Sequence, residues 1–291
     1  MRIAFIGFGE AARAFCDSLR EAGHTFRFFA YDVVDMAEMR EAMAVRDVRH
    51  ASSAGDAVGD VDWIISAVTA DQSLAAAVSV TPYLVQGQVF IDINSVSPDR
   101  KAETAERIEG QGASYLDMAV MAPVHPRGHA TPTLIAGTCA AALAPELSRL
   151  GFATDIVGER AGEATAVKMV RSLFVKGLEA ITVECALAAA ASGVYDRVIG
   201  SLESSYPQFD WTEHIAYVCE RTLNHGKRRA AEMLESAATL DALGLNGGLA
   251  REIAEVQDRM GALPAARRPE GDIRTALRET ASLRGAKLKG R

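Results

Sequence analysis

Little in this chain points to an oxidising compartment, a metal or a charged polymer. Its 291 residues hold four cysteines, Cys16, Cys139, Cys185 and Cys219, scattered without a C-x-x-C pair or metal-ligand spacing. That pattern excludes a disulfide framework, gives no metal site, and implies reduced, packed thiols. Excess positive charge is missing too. A formal charge of −7 gives no reason to expect nucleic acid or an anionic membrane as partner. The first apolar strand begins at the initiating methionine and leaves no room for a signal peptide, so a cytoplasmic location is expected. An uninterrupted membrane span is also lacking. The most apolar long stretch, 163–192, carries Lys168, Arg171, Lys176, Glu179 and Glu184. There is no internal repeat. The length suits about two domains, each with a core.

What is present is concentrated at the start. Ile3 to Ile6 reads as a fully buried strand, followed at once by Gly7, Phe8, Gly9, Glu10, Ala11 and Ala12. This is the G-x-G-x-x-A form of the dinucleotide fingerprint. Gly7 permits the tight turn, Gly9 lets backbone approach a pyrophosphate, and Ala12 lets the helix sit close to its strand. The N–H groups at the helix start, from Glu10 and Ala11 onward, face the phosphates. A second strand, Phe26 to Tyr31, ends at Asp32, about twenty residues past the glycines, where the ribose partner belongs. No Arg or Lys directly follows Asp32, which favours NAD over NADP. The other reading of Asp32 is a turn-capping carboxylate.

Further apolar runs at Val61–Val68, Gln88–Ile93, Tyr115–Val120 and Ala153–Val157 read as strands, with helical stretches at 36–46 and Gly137–Gly151. Alternation of this kind predicts an α/β, Rossmann-like domain with a doubly wound parallel sheet over 1–161. Val68 and Thr69 follow one strand and Asn94 and Ser95 another. Such carboxyl ends line the ligand crevice, although strand-to-helix capping would use the same residue types. Residues 121–137, rich in Pro, Gly and His, read as a shaped loop with His125, Arg127 and His129 as its polar members.

From Glu163 only helical periods remain, which predicts an all-α domain over 162–291 with one long helix at 163–192. Shorter helices are expected near 194–203, 212–235 and 247–260, and a frayed basic end from Arg284. The long apolar helix is expected to be buried and to support a homodimer or higher homo-oligomer. Lys168, Arg171, Ser172, Val175 and Glu179 share a face by three- and four-residue spacing. Spacing alone leaves Lys168 open between a solvated lysine and a base. Arg171 suits either a carboxylate or phosphate fork or an ion pair with Glu179. His225, Arg228 and Arg229 suit either a binding cluster or a solvated face.

Four segments in order resemble the β-hydroxyacid dehydrogenase family, relatives of 6-phosphogluconate dehydrogenase. GFGEAARAF at 7–15 resembles its fingerprint, and DINSVSP at 92–98 its D-x-S-T-x-x-P segment. DMAVMAPVHPRG at 117–128 lies where that family carries D-A-P-V-S-G-G. GEATAVKMVRS at 162–172 is similar to G-x-G-x-x-x-K-x-x-N-N. The resemblance implies hydride transfer between a small hydroxy-acid-like alcohol and a nicotinamide, with Lys168 as general acid/base. It also implies substrate contacts from Met121 and Pro123, which stand with Ala122 in place of Ser-Gly-Gly. Arg171 and Ser172 replace the paired asparagines. HGKRRAAEM at 225–233 resembles a subgroup with its own C-terminal domain, which adds His225 and Arg229. An imine reductase and a non-catalytic NADH-binding regulator are the alternatives; Lys168 counts against both.

Overall fold

The computed structural model describes residues 1–23, 25–264 and 272–289. The chain divides into two compact units, Met1–Met169 and Val170–Arg291.

In the first unit an eight-stranded sheet has helices on both faces. Its strands are β1 (Arg2–Ile6), β2 (Arg27–Tyr31), β3 (Val48–His50), β4 (Trp63–Ser66), β5 (Val89–Asp92), β6 (Ser114–Val120), β7 (Thr133–Ala136) and β8 (Thr154–Gly158). The helices between them are α1 (Glu10–Glu21), α2 (Ala37–Ala44), α3 (Ala54–Val58), α4 (Ser73–Val80), α5 (Pro98–Glu109) and α6 (Ala140–Arg149). The spatial order is β3-β2-β1-β4-β5-β6-β7-β8. Alternate residues of β1 feed opposite cores: Ile3 and Phe5 join one, Ala4 and Ile6 the other. A strand covered on both faces needs apolar residues throughout, which is why it reads as a continuous apolar run. Chain order reverses between β1 and β4, and the crevice at such a switch point is where α/β sheets hold ligands.

Three features depart from the expected pattern. The short edge strand β3 intervenes between α2 and α3. Thr133–Ala136, expected within a loop, forms β7 and pairs antiparallel with β6, so β8 is also reversed. The all-parallel expectation therefore holds for β1 to β6 only. The return from β6 to β7 holds only one short helical turn, Gly128–Ala130, in place of the α-helical crossover usual between parallel neighbours.

The second unit is helical in its described residues. Its elements are the greater part of α7 (Glu163–Ala191), then α8 (Tyr195–Ser205), α9 (Trp211–Ala242), α10 (Gly247–Gly261) and α11 (Ile273–Lys289). Ala180, Val183, Leu187 and Ala190 of α7 are buried in its cores, with Ile215, Met233, Ile253 and Met260 from α9 and α10. On other sides of α7, Phe174 and Ile181 are exposed, so within one chain the helix is only partly buried. The basic end from Arg284, expected to be frayed, instead continues as α11 through Lys289, and Arg284 pairs with Glu184; residues 290–291 lie outside the described residues. No described helix is long and apolar enough to cross a membrane.

Candidate cofactor and catalytic site

Gly7 closes the turn after β1 with φ +84°, and its N–H donates to Tyr31 O at 2.9 Å. A Cβ there would lie 2.6 Å from Ala67 O. Only glycine satisfies both constraints. The Phe8 ring turns inward against Phe5, while its backbone N–H donates to Asp32 Oδ2 at 2.7 Å. Asp32 Oδ1 accepts from Val34 N at 2.9 Å. The carboxylate is thus fixed at the end of β2, beside the glycine turn. Gly9 is exposed, and a Cβ on it would meet nothing within 4 Å. It caps α1 without a side-chain hydrogen bond, so the first N–H groups of Glu10 and Ala11 have no capping acceptor. An open glycine at a helix start with an acid next to it fits a dinucleotide: room for a pyrophosphate and an acceptor for ribose hydroxyls.

The carboxyl ends of β4 and β5 are tied together by Asn94. Its Oδ1 accepts from Val68 N at 2.7 Å, and its Nδ2 donates to Ser66 Oγ at 2.8 Å and Ser73 Oγ at 3.3 Å. Both amide hydrogens are thereby used within the protein. Thr69 is exposed and Ser95 half-buried. Lys168, half-buried near the start of α7, donates from Nζ to Ser95 Oγ at 2.6 Å.

Met121 is half-buried and Pro123 exposed, as are His125 and Arg127. The loop that carries them is anchored at its far side. His129 is buried, its N–H donates to Ser18 Oγ at 2.9 Å, and its Nε2 lies 3.0 Å from Leu150 O. In the helical unit Arg171 is exposed and Ser172 buried. Glu179 is engaged by Arg229 and Gln257. Arg229 is buried, whereas His225 and Arg228 are exposed, so the three residues do not form one cluster of like environment. Lys176 is buried against Glu232 at 2.8 Å; burial lowers its pKa, and Glu232 opposes that shift.

Residues 2–149 match the family model described as the NAD binding domain of 6-phosphogluconate dehydrogenase. The chain belongs to that family. Residues 189–260 match a second model, described as a domain of unknown function. A conserved hypothetical protein from Sinorhizobium meliloti is 34% identical, with 98% of this chain and 96% of that one covered at a TM-score of 0.75. The 3-hydroxyisobutyrate dehydrogenase of Mycobacterium tuberculosis is 18% identical, with 91% and 94% covered and a TM-score of 0.72. An imine reductase from Streptomyces aurantiacus is 18% identical, with 96% and 99% covered and a TM-score of 0.56. The last two likenesses concern the fold.

The family match supports a nicotinamide cofactor for the first unit. Sequence reasoning did not single out three fully buried charged residues of the first unit: Asp92, Lys101 and Asp117. The available signal was a carboxylate set inside an apolar strand, in FIDI and again in YLDMAV. Lys101 had no signal, because its partners come from β5 and β6.

Proposed function

We propose that this protein is an NAD-dependent oxidoreductase of the β-hydroxyacid dehydrogenase type. It transfers hydride between the alcohol of a small, polar, hydroxy-acid-like substrate and the nicotinamide. The observation that carries the proposal is the Lys168 amine held at Ser95, just past the carboxyl end of β5 in a unit that matches the NAD binding domain family.

Each residue then has a task. The Gly7–Gly9 turn and the N–H groups of Glu10 and Ala11 hold the pyrophosphate. Asp32 takes the ribose hydroxyls and disfavours a 2′-phosphate. Thr69 and Ser95 lie beside the nicotinamide half. When bound, the cofactor supplies the carbon that accepts or donates hydride. Lys168 takes the hydroxyl proton in oxidation and returns it in reduction. Arg171, three residues on along the same helix, is assigned the substrate's carboxylate, with Ser172, Met121 and Pro123 shaping specificity. His225 remains an exposed candidate for substrate contact; Arg229, already paired with Glu179, would act through that pair. Assembly as a homodimer and a cytoplasmic location belong to the same proposal, which involves neither nucleic acid nor membrane.

The test is a panel of hydroxy acids, polyols and aryl alcohols, assayed for reduced nicotinamide formation with NAD. Cyclic imines with NADH or NADPH form a second arm. Turnover of alcohols with NAD is expected. Imine reduction without alcohol oxidation would move the protein to the imine reductases. Cofactor binding without turnover of either class would make it a regulator.

A further inference from the structure

Beneath the crevice lies a group of charges sealed from solvent. Lys101, on α5, places Nζ 3.0 Å from Asp92 Oδ1 and 3.3 Å from Asp117 Oδ1, and donates to Asp92 O at 2.7 Å. Tyr115 donates its hydroxyl to Asp92 Oδ2 at 2.8 Å. All four side chains are fully buried. Such a group is costly to desolvate and persists only where its lone pairs and protons find partners. The remaining oxygen shows what the arrangement holds. Asp117 Oδ2 accepts from Gly162 N at 3.1 Å and from Thr165 N at 3.0 Å. These are backbone donors at the beginning of α7, so the carboxylate satisfies and attracts the positive end of that helix.

Two further contacts fix the same turn. Thr165 Oγ1 donates to Val96 O at 3.0 Å. Gly162, at φ +97°, lies so close to α5 that a Cβ on it would be 2.8 Å from Pro98 O. Lys168 follows Thr165 by three residues, and its Ser95 partner is in the loop between Asp92 and Lys101. One ionic group thus bears on both sides of the Lys168–Ser95 hydrogen bond. Lys101 and Asp92 fix the loop that carries Ser95, and Asp117 fixes the turn that carries Lys168. Burial raises the Asp117 carboxyl above the usual carboxylate range, and the Lys101 ammonium opposes that rise.

We propose that Asp117, backed by Lys101, is a positioning residue that sets Lys168 against Ser95 by clamping the first turn of α7. The inference rests on the role proposed for Lys168, but its principal readout does not need that role. Lysine amines are labelled briefly with acetic anhydride in the wild type and in Asp117→Asn, and each site is quantified by peptide mass spectrometry. An amide at 117 presents one oxygen and brings an NH₂ group toward Lys101, so the clamp loosens while the shape is kept. Lys168 should react several-fold faster in the variant, while the exposed Lys227 is unchanged. Equal Lys168 labelling in a folded variant overturns the proposal.

If Asp117→Asn does not fold, Lys101→Met combined with Asp117→Asn takes its place. It removes the two opposite charges together, and with them the carboxylate that holds Gly162 N and Thr165 N. The same selective rise at Lys168 is expected, and its absence in that folded protein is equally decisive, whereas Thr165→Val reports only on the tie to Val96 O. Activity provides the second readout, through a cycle with Lys168→Ala. Misplacing a catalytic group by about 1 Å can cost around 10²-fold in rate. The kcat loss from Asp117→Asn should therefore appear with Lys168 present and vanish in the Lys168→Ala background. Equal losses in both backgrounds would overturn positioning through Lys168. If Lys168→Ala alone leaves kcat intact, the functional reading fails, and the labelling result still reports on the clamp.

Discussion

Lys168 donates a 2.6 Å hydrogen bond to Ser95, across a sequence separation of 73 residues. The bond joins the start of α7 to the loop leaving β5. A lysine side chain carries about 2 kcal/mol of rotamer entropy, and a charge-assisted bond to a neighbouring hydroxyl offsets part of the cost of holding it in one place. A positioned amine of this kind is what general acid/base catalysis requires.

Replacing the amine should reveal that role. Lys168→Ala is expected to lower kcat by roughly 10²- to 10⁴-fold, with little change in NADH affinity, because the proposed phosphate site is the glycine turn and not this helix. Ser95→Ala should lower kcat by about tenfold, the value of one hydrogen bond to a charged group. Arg171→Ala should raise KM more than it lowers kcat. Wild-type kcat in Lys168→Ala, measured with a good substrate, would remove the assignment.

The two glycines of the fingerprint should fail in different ways. Gly7→Ala places a Cβ 2.6 Å from Ala67 O at a positive φ. It should destabilise the fold by more than about 1 kcal/mol and lower the thermal midpoint with or without cofactor. Gly9→Ala points into open space at φ −78°. Its apo-protein midpoint should match the wild type, while the NAD dissociation constant rises. Calorimetry for the first and a fluorescence titration for the second separate them. A Gly9→Ala protein that binds NAD normally would mean that no pyrophosphate approaches this turn.

The features legible in the sequence are those with local causes. Ile3 to Ile6 is buried on both faces, so its apolar run announces a central strand. Gly7 and Gly9 answer requirements of one turn, and Asp32 ends the strand beside it. The helical pattern after Glu163 was likewise visible, since α7 is rich in alanine and other apolar residues, with its charges at helical spacings. Features with distant causes were hidden. Thr133–Ala136 is short and follows a Pro- and Gly-rich loop, so nothing local marks it as antiparallel to β6. Asn94 resembles a ligand contact until Val68, Ser66 and Ser73 are seen to use its amide. Lys101 lies on the outwardly polar helix DRKAETAER, yet it is sealed between Asp92 and Asp117.

Cofactor preference should follow Asp32. Both of its oxygens accept backbone N–H groups, from Phe8 and Val34, so the carboxylate cannot swing away from an incoming 2′-phosphate. The nearest basic residue along the segment after β2 is Arg40, and it is engaged by Asp35 at 2.5 Å. NAD is therefore expected to bind more tightly than NADP. Asp32→Ala should narrow the gap, chiefly by weakening NAD. Titration of both cofactors against both proteins gives the answer, and tighter NADP binding by the wild type would contradict this reading of Asp32.

Assembly is the last expectation, and it rests on α7. Ala180, Val183, Leu187 and Ala190 bury one side of that helix in its own unit. Val170, Phe174 and Ile181 follow at spacings of four and seven, which places them along one stripe. They are 52%, 74% and 69% exposed. Isolated exposed apolar residues are ordinary, and an aligned row with a phenylalanine at its centre is the feature on which the dimer expectation rests. A second copy of the chain offers the same stripe about a two-fold axis, the commonest way to cover such a surface. Light scattering at micromolar concentration should report a dimer or a larger even assembly. Phe174→Glu combined with Ile181→Glu should give monomers that keep their helical signal, because neither side chain enters the unit's own cores. A wild-type monomer would show that the stripe serves another purpose, and a double variant that still assembles would move the interface off this face of α7.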